Sequence, residues 1–394
     1  MPAPRPTVRQ VADESSSLFT PAFIALTLSD LAYFTAQGLM IFVTPFFVTG
    51  PLASAEGTVG LVMGSFSIST LLLRPLVGRL ADRHGRRPLL VGGAMAFGVI
   101  VALHATATHV AVLVLLRLLL GAAEAFFFVA GFAALADMAP PEREGEALSF
   151  NSLALFLGLA IGPLIGDALL EVGGFGLAWL GGVVLSLIAV ALAARVPETG
   201  DSGAVTEPIP LFHRTAIGPG LMLFAGVAAM AVFLAYAPLH GAALGLDTTS
   251  TVLLVFGVVV VTLRLTFAKL PDRVPPRQLI PGALAASAVG LGLAATGGGP
   301  GLLAAAALSG VGVAFLTPSV FVAIFSIVPP AERGAAAATT SIFIDLGFGG
   351  GPLLAGLVVA GADIPTGFTV AALAAVLASV LSLLTLQARP VPVG

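Results

Sequence analysis

Apolar runs of about twenty residues or more, broken by short stretches of charge, proline and glycine, make up almost the whole chain. Twelve can be counted. The first six lie near 18–48, 57–80, 88–107, 109–138, 146–170 and 174–194; the second six lie near 215–240, 249–270, 277–296, 300–328, 333–360 and 364–387. A bilayer core about 30 Å thick needs about 20 apolar residues as a helix. A barrel strand needs only about ten, alternating in polarity, and these runs do not alternate. Within lipid every backbone polar group needs an internal partner. The pattern therefore predicts an all-α integral membrane protein with 12 transmembrane helices.

Composition agrees. The 394 residues are 58% hydrophobic and 9% charged, too apolar to cover a soluble domain of this size. A net charge of −3 favours no nucleic-acid partner. The absence of cysteine excludes disulfides and thiolate metal sites. The bias to Ala, Gly and Arg, with Lys269 the one lysine, hints at a GC-rich genome. Residues 1–17 hold Arg5, Arg9, Asp13 and Glu14 but no apolar core, so they are expected to be a short cytoplasmic tail rather than a cleavable signal. Of the 17 Arg and Lys residues, Arg74, Arg117 and Arg264 lie inside helices. With both termini cytoplasmic, all the others fall in tails, cytoplasmic loops or the helix ends beside them, which predicts N-in, C-in. The polar stretch 195–214, with Pro197, Gly200, Pro208 and Pro210, reads as a linker between bundles 18–194 and 215–387; 388–394 is a second tail.

The halves repeat. "RPLVGRLADRHGRRPLL" from Arg74 aligns with "RLTFAKLPDRVPPRQLI" from Arg264, an offset of 190. "PPEREGEALSF…" from Pro140 aligns with "PPAERGAAAAT…" from Pro329, an offset of 189 that puts Pro163 on Pro352. Two matches at nearly one offset predict two pseudo-symmetric six-helix bundles. Such repeats in a twelve-span chain point to a secondary transporter with its site at the repeat interface.

Gly78, Leu80, Ala81, Asp82, Arg83, Gly85, Arg86 and Arg87 fill a G-x-L-A-D-R/K-x-G-R/K-R/K pattern in the loop between spans 2 and 3. With Arg117, Gly121 and Ala125 in span 4, and "GLAIGPLIG" (Gly158, Gly162, Pro163, Gly166) in span 5, the chain resembles the major facilitator superfamily over all twelve spans. The resemblance implies that fold, a multi-pass protein of the bacterial cell membrane, and alternating access to a central site. The span 5 motif implies an antiporter. The span 2 spacing, with "IFIDLGFGGGP" in span 11, looks most like efflux proteins of the arabinose and metallophore-exporter type or drug:proton antiporters. It also implies that the loop motif, through Asp82, latches the halves on the cytoplasmic side. The alternative is that these arginines only set topology. In the second half Pro275 and Pro276 replace Gly85 and Arg86, which argues against a symmetric latch.

Ionisable side chains deep in a bilayer are functional candidates. Asp30, Tyr33 and Gln37 share a helix face, expected to line a polar cavity. Arg117 and Glu124, seven residues apart, also share a face. Burial favours the neutral form of a carboxylate and a nearby arginine favours the charged form, so moving the partner switches proton affinity. Glu124 is the first candidate proton carrier, Asp30 the second and Asp345 the third. Asp345 has Phe156 as its repeat mate, so its charge breaks the symmetry. The alternatives are a static ion pair of Glu124 with Arg117 or Arg74, a structural hub at Asp30, and snorkelling of Arg74 and Arg264 to the interface; Arg117, deeper, is expected to pair with Asp30 or Glu124 or to meet an anionic substrate. Phe128 beside Glu124 suits an amphipathic, even cationic, organic substrate; packing or lipid contact is the plainer role. Gly158, Gly162, Gly347 and Gly351, four apart, are expected to pack the interface of the halves closely, with Pro163, Pro352 and Gly166 in the same motif.

No catalytic or nucleotide motif is present, and the scattered histidines suggest no metal site. No enzyme activity and no cofactor are expected. The expected partners are a small-molecule substrate, protons and membrane lipids, with a monomer sufficient. The leading expectation is proton-coupled export. An importer of a sugar or organic acid on the same fold comes second, and a non-transporting receptor or lipid-handling protein is the reading from another class.

Overall fold

The computed structural model describes residues 18–140, 143–199, 213–329 and 332–387. Both expected tails (1–17 and 388–394) and most of the expected linker (200–212) lie outside the described residues.

The first half holds α1 (Pro21–Thr49), α2 (Gly57–His84), α3 (Arg86–Leu103), α4 (Val110–Met138) and α5 (Glu144–Ala193). The second half holds α6 (Arg214–Ala243), α7 (Ser250–Thr266), the single turn α8 (Leu270–Arg273), α9 (Pro276–Thr296), α10 (Gly298–Ile327), α11 (Arg333–Gly361) and α12 (Ile364–Gln387). Ten of these are long and apolar enough to cross a membrane, and α7 is a shorter apolar helix of 17 residues.

The twelfth span comes from α5. Its 50 residues would reach about 75 Å if straight, but Gly174 at φ +65° and ψ −162° breaks the helix. The chain turns back there, and Leu169 comes to lie against Gly181. One ribbon thus supplies the two spans expected at 146–170 and 174–194.

The eighth span differs from expectation. It ends at Thr266 rather than near 270. The cause is Pro271, whose ring would strike the carbonyl four residues back and which has no N–H to give. The chain leaves the helix at Phe267 and re-forms one turn as α8.

Large apolar side chains such as Val172, Leu357 and Leu72 are at least 70% exposed, as a lipid-facing surface requires. The core lies within each half. Gly158 and Gly162 let α5 press backbone to backbone on α1 at Phe34, Thr35 and Gly38, and Gly166 meets Phe42 and Val43. Gly347 and Gly351 do the same for α11 against α6, at Val227 and Ala228. These glycines therefore pack each half internally, not the interface between halves as expected. Residues four apart share one helix face, and that face is turned to the first helix of the same half.

The halves meet along two seams, α2 against α11 and α5 against α7, with a smaller contact of α1 on α6. Among the described residues, the packed interfaces of α4 and α10 are with helices of their own half.

Candidate functional site

The α2–α3 turn marks one end of the bundle, here the near end; the α1–α2 loop marks the far end. Each seam can be read as three rungs from far to near.

On the α2–α11 seam Gly60 touches Gly356. One turn-pair further Ser67 touches Gly349, and then Arg74 Nη2 lies 3.0 Å from Asp345 Oδ1. On the α5–α7 seam the Ser250 backbone N–H donates to Asp167 Oδ2 at 3.2 Å. Gly257 then touches Ala160, and the guanidinium of Arg264 sits 4.4 Å from the ring centre of Phe156. The α2 and α7 residues are repeat mates at 190, and the α5 and α11 residues are repeat mates at 189. The two ladders are one pattern used twice. Arg74 and Arg264 therefore face the other half rather than snorkelling outward.

Glycine lets the far part of the α2–α11 seam close. A side-chain carbon on Gly60 would collide with the Pro352 carbonyl and Gly356, and one on Gly64 with Gly349. At the near rung the helices are held by charge.

Around the Arg74–Asp345 pair stand residues of α4. The Arg74 guanidinium also lies 4.9 Å from the Phe128 ring centre. Arg74 and Asp345 are both within electrostatic reach of Glu124, as is the Thr70 side chain. Glu124 is buried, and its Oε2 has no hydrogen-bond partner among the described residues. Asp30 is buried on the near side, against Gly131 of α4 and within reach of Asn151 of α5.

Other expectations change. Arg117 pairs with neither Asp30 nor Glu124: it contacts Met63 Sδ at 3.8 Å and lies 5.2 Å from the Phe66 ring centre. It sits only seven residues from the far end of α4, while Glu124 sits midway, so sharing a face does not bring the two together. The Asp30–Tyr33–Gln37 face is not one open wall. Tyr33 is wholly enclosed, its ring stacked on Phe127 at 3.8 Å and tilted against Phe97. Gln37 keeps partial exposure.

The loop motif knits the first half. Asp82 Oδ1 accepts from Arg86 Nη1 at 2.7 Å, and Arg86 also meets Asp137 of α4 at 3.4 Å. Glu198, just beyond α5, accepts from the backbone N–H groups of Arg86 and Arg87 at the start of α3, where a helix favours an anion. Arg87 donates to the Ala194 carbonyl at 2.6 Å. Gly85 at φ +89° is required twice, for its backbone angle and because the Glu198 carboxylate occupies the place of a side chain. Arg83 is exposed, and Gly78 has open space around it. These described contacts of the motif lie within one half.

Sequence reasoning missed the partners: Phe156 under Arg264, Asn151, Asp137, Glu198 and the glycines Gly60, Gly64, Gly349 and Gly356. The repeat offset held the signal for the seam residues, because pairing one seam by offset predicts the other. Among the described residues no group of His, Asp or Glu is arranged to hold a metal ion.

The profile of the Major Facilitator Superfamily matches residues 23–300 and 247–394. An uncharacterized MFS-type transporter of Salmonella typhimurium is 30% identical over 368 residues, covering 89% of this chain and 93% of that one. One from Burkholderia pseudomallei is 29% identical over 369 residues, covering 89% and 88%. Among solved structures, the nucleoside transporter NupG superposes with a TM-score of 0.74 at 16% identity over 93% of this chain and all of its own. The human organic anion transporter MFSD10 gives 0.70 at 18%, over 92% and 99%. A bacterial homolog of the human lysosomal transporter Spinster, inward-facing and occupied, gives 0.74 at 15%, over 93% and 96%. The chain belongs to the Major Facilitator Superfamily.

Proposed function

We propose that this transporter is a proton-coupled exporter of small organic molecules, working by alternating access in the membrane of a bacterium, and that it belongs to the efflux side of the family. The arginine distribution supports the near end as the cytoplasmic end, the N-in, C-in orientation.

The observation that carries this reading is the Arg74–Asp345 ion pair, which crosses between the halves with a third, incompletely bonded acid, Glu124, beside it. Asp345 is only 5% exposed. A carboxylate there is worth its burial only while Arg74 is present. A proton on Asp345 removes the charge that holds the near rung. Glu124, within electrostatic reach of both partners, is the acid assigned to exchange that proton. Asp30 is a second carboxyl toward the cytoplasmic face. Proton binding and seam opening are thereby one event, which is what antiport needs. Gln37, Phe128 and the unpaired edge of Arg74 are the side chains offered to a substrate; Arg117 and Tyr33 support the site from within the first half. The loop motif braces that half as a rigid body during rocking, and one chain forms the whole pathway.

The test uses inverted vesicles with an imposed proton gradient and a panel of dyes, antibiotics and metabolites. Gradient-driven uptake is expected, falling about tenfold or more in Glu124→Gln and Asp345→Asn. Uptake by wild type that ignores the gradient sinks the coupling. Gradient-independent exchange of one nutrient in whole cells favours the importer instead.

A further inference from the structure

Among the ionisable side chains carried by the spans are the acids Asp30, Glu124 and Asp345 and the arginines Arg74, Arg117 and Arg264. Of these six, only one pair, Arg74 and Asp345, is within ion-pair distance. The repeat makes the second seam a direct comparison. Arg264 stands where Arg74 stands, and Phe156 stands where Asp345 stands. Among the described residues Arg264 makes no ion pair and no hydrogen bond, and its Nε is buried without a partner. An aromatic ring attracts a cation, but it takes none of the five N–H donors of a guanidinium.

That leaves a cation facing the other half at the near rung, with its donors free and its neutralising acid missing. Phe156 gives the group a place to rest while empty and an apolar wall when filled. A planar guanidinium is suited to bidentate recognition of a carboxylate or another oxyanion. Resting on our reading that the chain transports a solute between its halves, we propose that Arg264 is a substrate-binding residue and that the transported molecules are organic anions, whose oxyanion takes on Arg264 the place that Asp345 takes on Arg74. The substrate thus completes the ladder, and the α5–α7 seam is bridged at its near rung only when a substrate is bound. This replaces the cationic substrate suggested by Glu124 beside phenylalanines, since Glu124 is already within electrostatic reach of Arg74.

The test needs no gradient. Equilibrium binding is measured on the purified full chain with radiolabelled benzoate, competed by benzamide and benzamidine, which keep the ring and change the charge. The expected order is benzoate first, benzamide about tenfold or more weaker, and benzamidine without effect. Arg264→Gln should weaken benzoate about tenfold or more, and Arg264→Lys should keep part of the binding. Phe156→Asp should also abolish binding, because it builds into the chain the acid that the substrate otherwise supplies. Its thermal midpoint should equal or exceed that of wild type, which separates this effect from misfolding. Benzamide or benzamidine binding as well as benzoate, no benzoate binding at millimolar concentration, or unchanged benzoate binding in both Arg264→Gln and Phe156→Asp would each overturn the proposal. A preference for benzamidine with intact gradient-driven uptake would end the anion seat and leave proton-coupled transport standing; loss of gradient dependence with benzoate binding intact would do the reverse.

Discussion

The two seams have one geometry and opposite placements of charge. On α2–α11 the far rung is glycine on glycine and the near rung is Arg74 with Asp345. On α5–α7 the far rung carries the acid, Asp167 on the Ser250 backbone, and the near rung has an arginine over a ring. Duplication supplied the backbone contacts to both seams. The side chains then divided the work. One seam closes at its near rung through its own acid, and the other leaves that rung for something outside the chain. Pseudo-symmetry is therefore a way to find function here: the middle rung, which matches, is packing, and the near rung, where an acid faces one arginine and a ring the other, is chemistry.

The largest effect should come from welding the matched rungs. Ser67 and Gly349 approach closely enough that cysteines at both would need only a small shift to reach disulfide spacing, and the chain has no other cysteine to interfere. Oxidation of the Ser67→Cys/Gly349→Cys protein should stop transport and reduction should restore it, measured as flux in proteoliposomes. Undiminished flux with the bond formed would mean that this seam does not open. Smaller, but still about tenfold or more in flux, is the effect expected of breaking the unmatched rung. Asp345→Asn leaves Arg74 without its partner, at a cost of about 1–3 kcal/mol for a group that is partly exposed. Exchanging the charges, Arg74→Asp with Asp345→Arg, should recover part of the loss. If the exchanged protein is no better than either single variant, the pair acts through its individual side chains and not through the bond between them.

Much of this was readable before any coordinates. Twelve spans, the repeat and the family all follow from hydropathy and from motifs whose residues lie close together in the chain. Charge inside the spans also marked Asp30, Glu124, Arg117 and Asp345 as residues to watch. What could not be read was which of them meet. Helix periodicity gives the face of one helix but not the neighbour it is turned to, so Arg117 and Glu124, on one face, are apart. Arg74 and Asp345, 271 positions apart, form the pair. The glycines show the same limit. Spacing four predicted close packing at Gly158, Gly162, Gly347 and Gly351 correctly, but the partner helix lies in the same half.

The smallest effect sharpens a second comparison, between the α2–α3 turn and its mate. Gly85 adopts φ +89° and ψ +166°, a region essentially confined to glycine, with the Glu198 carboxylate where a side chain would be. Its mate Pro275 has φ −55° and ψ +138°, ordinary for proline, and leads from a chain already interrupted by α8. The first half has a clamp at this position and the second has only a stiff corner. Gly85→Ala should therefore cost about 1–3 kcal/mol, through backbone strain and through displacing Glu198 from the start of α3. Pro275→Gly should cost no more than about 1 kcal/mol, by loosening the unfolded chain. Thermal unfolding of each variant in detergent, followed by the fluorescence of Trp179, the one tryptophan, reads both. Equal losses in the two variants would show that the turn contributes only shape. A larger loss at Gly85 would show that the duplicated turn has been made, in one half alone, into a brace for α2, α3, α4 and the end of α5.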